Sequence, residues 1–196
     1  TPLYSSAASD VYKRQPFTTR LTFETLVKNE IQFAKSGKEA YIILKLNSLQ
    51  DDKMINLLYK ANNAGVKIRL LVRGICCLVS GIEGQSEHIT VTSIVDRYLE
   101  HSRVYVFGND GREKLYMGSA DWMTRNLDHR IEVVVPILDK EIAIKLRAIL
   151  DLQINDTVKS RLIDANQENN YITGIDNLES SSQHLIYSKF LKGFEE

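Results

Sequence analysis

YIILKLNSLQDDKMINLLYKANNAGVKIRLLV, residues Tyr41–Val72, is the stretch whose reading decides the fold. Tyr41–Asn47 is almost continuously apolar, as in a strand buried on both faces. Asp51 and Asp52 then open a helix, because carboxylates favour the positive N-terminal end, and Met54, Ile55, Leu57, Leu58 and Ala61 follow at helical spacing. Asn62, Asn63 and Gly65 close that helix, and Val66–Val72 reads as a second strand. Strand, helix, glycine turn and strand at this spacing make a βαβ unit, hence a parallel pair with a right-handed crossover. The predicted class is α/β, a mixed, mostly parallel sheet flanked by helices. The second strand ends at Arg73-Gly74, at the C-terminal edge where open α/β sheets bind ligands.

Upstream, Phe23, Leu26, Val27, Ile31, Phe33 and Ala34 recur with helical period from Thr22, and Ser36-Gly37-Lys38 ends the run. Residues 1–15 have no such period and are expected to be an unstructured or non-native leader. Downstream, Val104–Phe107, Lys114–Gly118 and Arg130–Val135 are β-branched or aromatic runs between Gly, Asn and Asp, as in strands joined by tight turns. From Asp139 the period is helical again, with Ile142, Leu146, Ile149, Leu150 and Leu152 on one side. A shorter helical piece with Val158, Leu162 and Ile163 is expected after Asn155-Asp156-Thr157. Residues 166–182 read as a polar surface loop and His184–Phe194 as a closing helix. The division is a leader over 1–15, one folded domain over 16–165, and a loop and terminal helix over 166–196.

With 196 residues, 43% of them hydrophobic and 26% charged, the chain can bury a core without disulfides. Its formal net charge is zero, so no global field recruits nucleic acid or an anionic membrane, and anion binding has to be local. The two cysteines, Cys76 and Cys77, are adjacent, poorly placed for a disulfide and without metal-ligand spacing. No apolar run reaches transmembrane length, the first residues given lack the basic-then-apolar build of a signal peptide, and a cytoplasmic location is expected.

Four histidines occur, and His88, His129 and His184 read as structural. His101 has different company. Arg103 lies two residues on, the same-face distance in a strand. Gly118-Ser119-Ala120-Asp121 offers a hydroxyl, a carboxylate and backbone N–H groups in a tight turn of the kind that holds phosphate oxygens. Glu132, in an otherwise apolar run, needs a partner once buried, and the N–H of a histidine would serve, as would a salt bridge to Arg130. Arg97 and Arg125 are weaker candidates that read more simply as surface charges, and Lys45 and Asn47 are weaker still. Trp122 and Met123 read as packing.

H-x-R at 101–103, followed by G-S-x-D at 118–121 and a glutamate at 132, resembles a phospholipase D half-site. That pattern has lysine where Arg103 stands and asparagine where Asp121 stands. DRYLEHSRVYVFGN, YMGSADWMTRNLDHRIEVVVPI, LLVRGICCL, LKLN and NDTVKSRLID together are similar to the last domain of the bacterial polyphosphate kinases, the long histidine-phosphorylating kind, over residues 16–172. The resemblance implies reversible transfer of the terminal phosphoryl group of ATP to polyphosphate through a phosphohistidine, with magnesium. It implies that the phosphorylated histidine and the magnesium ligands belong to a preceding half absent from this chain, and that the enzyme is a homo-oligomer. His101 is then the acid–base partner that also contacts nucleotide phosphates. Arg73 binds the triphosphate and Arg103 stands beside His101. Glu132 orients the histidine, and Ser119, Asp121 and Arg125 are secondary members of the site. An isolated chain of this kind is expected to lack activity. The competing expectations are a phosphodiesterase or nuclease working as a symmetric dimer, and a non-catalytic polyphosphate- or nucleotide-binding module.

Overall fold

A computed structural model describes residues 13–14, 18–173 and 181–192. Apart from Lys13–Arg14, the expected leader lies outside these residues. The elements in chain order are β1 (Lys13–Arg14), α1 (Thr19–Lys35), β2 (Tyr41–Leu46), α2 (Asp52–Asn63), β3 (Lys67–Val72), β4 (Ile89–Ile94), β5 (Arg103–Phe107) and β6 (Lys114–Gly118). A π-helical turn (Arg125–His129), β7 (Val133–Pro136), α3 (Lys140–Ile154), β8 (Ser160–Leu162) and α4 (Ser182–Lys192) complete them. Among the described residues no helix is long and apolar enough to cross a membrane.

One mixed sheet runs in the order β1-β7-β6-β5-β2-β3-β4-β8. The βαβ unit forms as its spacing predicts, with Tyr41–Leu46 parallel to Lys67–Val72. Asp51 caps α2 by accepting from Met54 N–H at 3.0 Å. The expected predominance of parallel pairing does not hold. Only β2-β3-β4 are parallel, and the remaining five pairings are antiparallel. The short turn from β5 to β6 sends the chain straight back, whereas parallel pairing needs a crossover.

Alternation along β2 divides the molecule into layers. Ile42, Leu44 and Leu46 meet Phe23 and Leu26 of α1 and Met54 and Leu58 of α2. Ile43 faces the other way, toward Leu146 and Leu150 of α3. Phe23 sits at the centre of the larger core, 4.6 Å from the Tyr105 ring and 5.4 Å from that of Trp122, so Trp122 is packing, as its sequence context suggested.

Two segments differ from the sequence reading. Residues 160–162, expected to be helical, form β8, because three residues cannot sustain a helix and the open edge of β4 takes them up as antiparallel partners. The strand predicted from Arg130 begins only at Val133, since the π-helical turn occupies the chain through His129.

Gly118 ends β6 where β7 approaches most closely. A Cβ there would lie 2.4 Å from Val133 O and 2.9 Å from Val134 Cγ2. Gly118→Ala is therefore expected to part β6 from β7 and cost about 2–3 kcal/mol. Urea denaturation should show this as a lower midpoint at unchanged slope. An unshifted midpoint would mean that the two strands part without cost.

Candidate active site

The topology collects the chemistry at one edge of the sheet. The C-terminal ends of β2 and β3 place Asn47 and Arg73 there. The antiparallel strand β5 starts at the same edge after His101, and β6 ends there in Ser119 and Asp121.

Asp121, only 6% exposed, is the centre of the arrangement. Its Oδ1 accepts from the backbone N–H groups of Asn47 and Ser48 at 2.8 and 3.1 Å, tying the end of β2 to the turn after β6. Its Oδ2 takes Arg103 Nη2 at 2.9 Å, and Arg103 Nε reaches Oδ1 at 3.3 Å. Arg103 Nη1 then donates to the backbone carbonyl of His101 at 3.0 Å and lies 3.2 Å from its Nδ1. A guanidinium has no acceptor. In this hydrogen bond Nδ1 must be the lone-pair nitrogen, and the proton of the neutral imidazole is carried on Nε2 of an exposed residue.

That arrangement corrects the role expected of Glu132. Glu132 is buried, but its oxygens accept from Ser119 Oγ and, at 2.5 Å, from Asn126 Nδ2, and Arg103 occupies the histidine nitrogen it was expected to hold. The reason is its position: it precedes β7, facing the turn after β6 and the π-helical turn, and it ties those two turns together. The Gly118–Asp121 turn is also less open to phosphate than predicted, since Ser119 N–H donates to Val133 O at 3.0 Å and Asp121 presents its carboxylate to Arg103. Arg125 stands exposed on the π-helical turn.

Arg73 is half-buried and donates from Nε to Asn47 Oδ1 at 2.6 Å. Asn47 Nδ2 is buried without a hydrogen-bond partner, so the amide that anchors Arg73 keeps an unused donor at this edge. Below it, on the α3 face of β2, Lys45 is buried against Glu100 and donates to Gln153 Oε1 at 3.0 Å. Burial draws the Lys45 ammonium below its usual pKa, against the pull of Glu100, and the charge of Arg73 adds to that lowering. Burial pushes Glu100 up, but the Lys45 ammonium and the amides of Gln183 and Gln153 outweigh it and hold the carboxyl below the usual range. Glu100, Gln153 and Gln183 were not singled out in the sequence; a buried lysine in an apolar strand was the signal for them, since such a charge must be paired.

Magnesium takes oxygen ligands. Here Asp121 and Glu132 are already engaged, and among the described residues no group of three or more His, Cys, Asp or Glu is placed to hold a metal.

Residues 14–183 match the family model described as polyphosphate kinase C-terminal domain 2. A polyphosphate kinase of Vibrio parahaemolyticus is 47% identical over 180 residues, covering 92% of this chain and 26% of that protein. The crystal structure of polyphosphate kinase from Porphyromonas gingivalis superposes with a TM-score of 0.90 at 41% identity, over 94% of this chain and 28% of that one. A phospholipase D family member, Nuc from Salmonella typhimurium, superposes at 0.54 with 13% identity over 79% of this chain, a likeness of fold alone. The chain spans about a quarter of the length of the curated relatives it matches.

Proposed function

Because the chain belongs to the polyphosphate kinase family, as its second C-terminal domain, we propose that it supplies one wall of a site for reversible phosphoryl transfer between ATP and polyphosphate. The observation that carries this reading is a phosphate-type cation, Arg73, at the same sheet edge as His101, whose Nδ1 lies 3.2 Å from the Arg103 guanidinium. Phosphoryl transfer asks a protein mainly for positioning and for positive charge or donors around the phosphate oxygens. Arg73, braced by Asn47, takes a non-bridging oxygen of the terminal phosphates. His101 offers Nε2–H to the oxygen on which charge grows as the bond to the transferred phosphorus breaks. Arg103 and Asp121 are positioning residues: they hold the imidazole and set its tautomer. Glu132 fixes the turn that carries Asp121. The histidine that receives the phosphoryl group lies outside this chain, in the larger part of the enzyme, so the domain alone binds phosphate ligands without turning them over.

The test is calorimetric titration of ATP and of medium-length polyphosphate into the chain and its variants. Arg73→Ala should weaken both ligands by about tenfold or more, the scale of a charge-assisted hydrogen bond, and His101→Ala by a smaller factor. Wild-type chain that binds neither ligand, or binding unchanged by both substitutions, would remove the site as drawn.

A further inference from the structure

A groove opens at Arg73, and His101 is not among the residues that line it. It encloses about 750 Å³ outside the ends of β3 and β4 and runs past Ser93 to Arg161, Asn169 and Tyr171. Arg161 stands on β8 directly opposite Ser93 in the antiparallel register with β4. Its guanidinium lies 3.8 Å from the centroid of the Tyr171 ring and donates to Asn169 O at 3.0 Å and to Tyr171 Oη at 2.6 Å.

The partners distinguish these two arginines from the others that are held in place. Arg20, Arg103 and Arg147 are bound by carboxylates, which cancel their charge. Arg73 and Arg161 are held by neutral oxygens and a ring, and among the described residues neither is in an ion pair. They are oriented but not neutralised. The groove's one carboxylate, Asp164, turns its Oδ1 to the backbone N–H groups of Asn166 and Gln167 at 3.1 and 3.0 Å, serving its own turn. Arg73 and Arg161 are two strand spacings apart, from β3 across β4 to β8, or roughly 10 Å. A ligand that lies along the groove from one of these strand ends to the other is an extended polyanion.

We propose that this groove seats the body of a polyphosphate chain, with its reacting end at Arg73 and a phosphate further along on Arg161. The proposal rests on the reading of Arg73 given above. Arg161 has no buried counter-charge, so its replacement by glutamine leaves no orphaned carboxylate, and circular dichroism melts check that the fold is kept.

The experiment titrates tripolyphosphate, ATP and long-chain polyphosphate into wild type, Arg161→Gln and Arg73→Gln at several salt concentrations. Arg161→Gln should weaken long-chain polyphosphate about tenfold and lower the slope of log affinity against log salt by about one, the release of one condensed counterion. ATP should stay within twofold, and tripolyphosphate, whose three linked phosphates can bridge a gap of roughly 10 Å, should weaken by an intermediate factor. Arg73→Gln should weaken all three. If Arg161→Gln changes nothing while Arg73→Gln does, the extended seat is wrong and the function proposed above stands. Equal weakening of all three ligands by Arg161→Gln would put Arg161 among the terminal-phosphate contacts, and weakening of ATP alone would make the groove a nucleoside site; either overturns the proposal. No binding by wild type, or no effect of either substitution, overturns both readings.

Discussion

Replacing Asp121 by alanine is expected to cost about 3–5 kcal/mol of stability, a fall of roughly 10 °C in Tm, and to release His101. The size follows from what one carboxylate holds. Two backbone donors at the end of β2 would lose their acceptor, and the Arg103 guanidinium, in a side chain only 14% exposed, would lose its counter-charge. Arg103 would then be free to leave Nδ1, and the His101 imidazole would no longer be held in the Nε2–H form. Nitrogen-15 NMR of the ring separates this from simple destabilisation. Wild type should show one protonated nitrogen, Nε2, at neutral-form pH, and Asp121→Ala a mixture. A second comparison uses the departure from the phospholipase D pattern. This chain has arginine with aspartate where that pattern has lysine with asparagine, and the 2.9 Å ion pair explains why the two differences occur together. Asp121→Asn alone turns an amide donor toward Arg103, whereas in the Arg103→Lys background the shorter ammonium can turn to the amide oxygen. The double-mutant cycle should show a coupling of about 1–2 kcal/mol, and strict additivity would mean that the pair is not a unit.

Local pattern was legible wherever a segment decides its own conformation. The apolar run of β2, the Asp51 cap and the turn at Gly65, whose φ of +91° suits glycine, gave the βαβ unit within a residue or two. The sheet edge could be read from strand ends, so His101, Arg103, Asp121 and Arg73 were found together. Their partners were not legible, because those depend on register across the sheet. A strand starting at Arg130 would carry Glu132 within it; the start at Val133 leaves Glu132 ahead of the strand, with Ser119 and Asn126 as its partners. ITVTSI at Ile89–Ile94 has too few large apolar residues to announce a strand, and it is defined by its place between β3 and β8. The three residues of β8 became a strand only by meeting that edge. Groups separated by tens of residues, such as Lys45 and Glu100, leave no trace in spacing at all.

Arg20 is the clearest case of a residue that no local pattern reveals, and its replacement carries the other large expected effect. Its guanidinium binds Asp51 by two bonds, at 2.8 and 2.6 Å, and Asp128 by two more, at 2.5 and 2.8 Å. Asp51, its side chain 1% exposed, also caps α2 and accepts from Thr124 Oγ1 at 2.9 Å. One side chain of α1 thereby fixes the start of α2 and the π-helical turn, the two segments on either side of the turn that carries Asp121. Burial would raise the Asp51 carboxyl, but the Arg20 guanidinium, the Met54 N–H and the Thr124 hydroxyl outweigh it and hold the carboxyl below its usual range. For Asp128 the Arg20 hydrogen bond is the leading cause of a shift in the same direction. A carboxyl depressed in the folded state contributes stability above its unfolded value, near pH 3.9, and loses it as pH falls through the folded value. At neutral pH, Arg20→Leu leaves two carboxylates facing each other, one of them buried, and should cost about 3–5 kcal/mol. Near pH 3, where the variant's two acids take up protons that those of wild type still resist, the deficit should shrink. Urea denaturation of both proteins at pH 7 and near pH 3 measures the two gaps. A gap of the same size at both would show that Arg20 acts by packing its stem against α2 and that the charges contribute little; a gap that closes in acid assigns the stabilisation to the ion pairs.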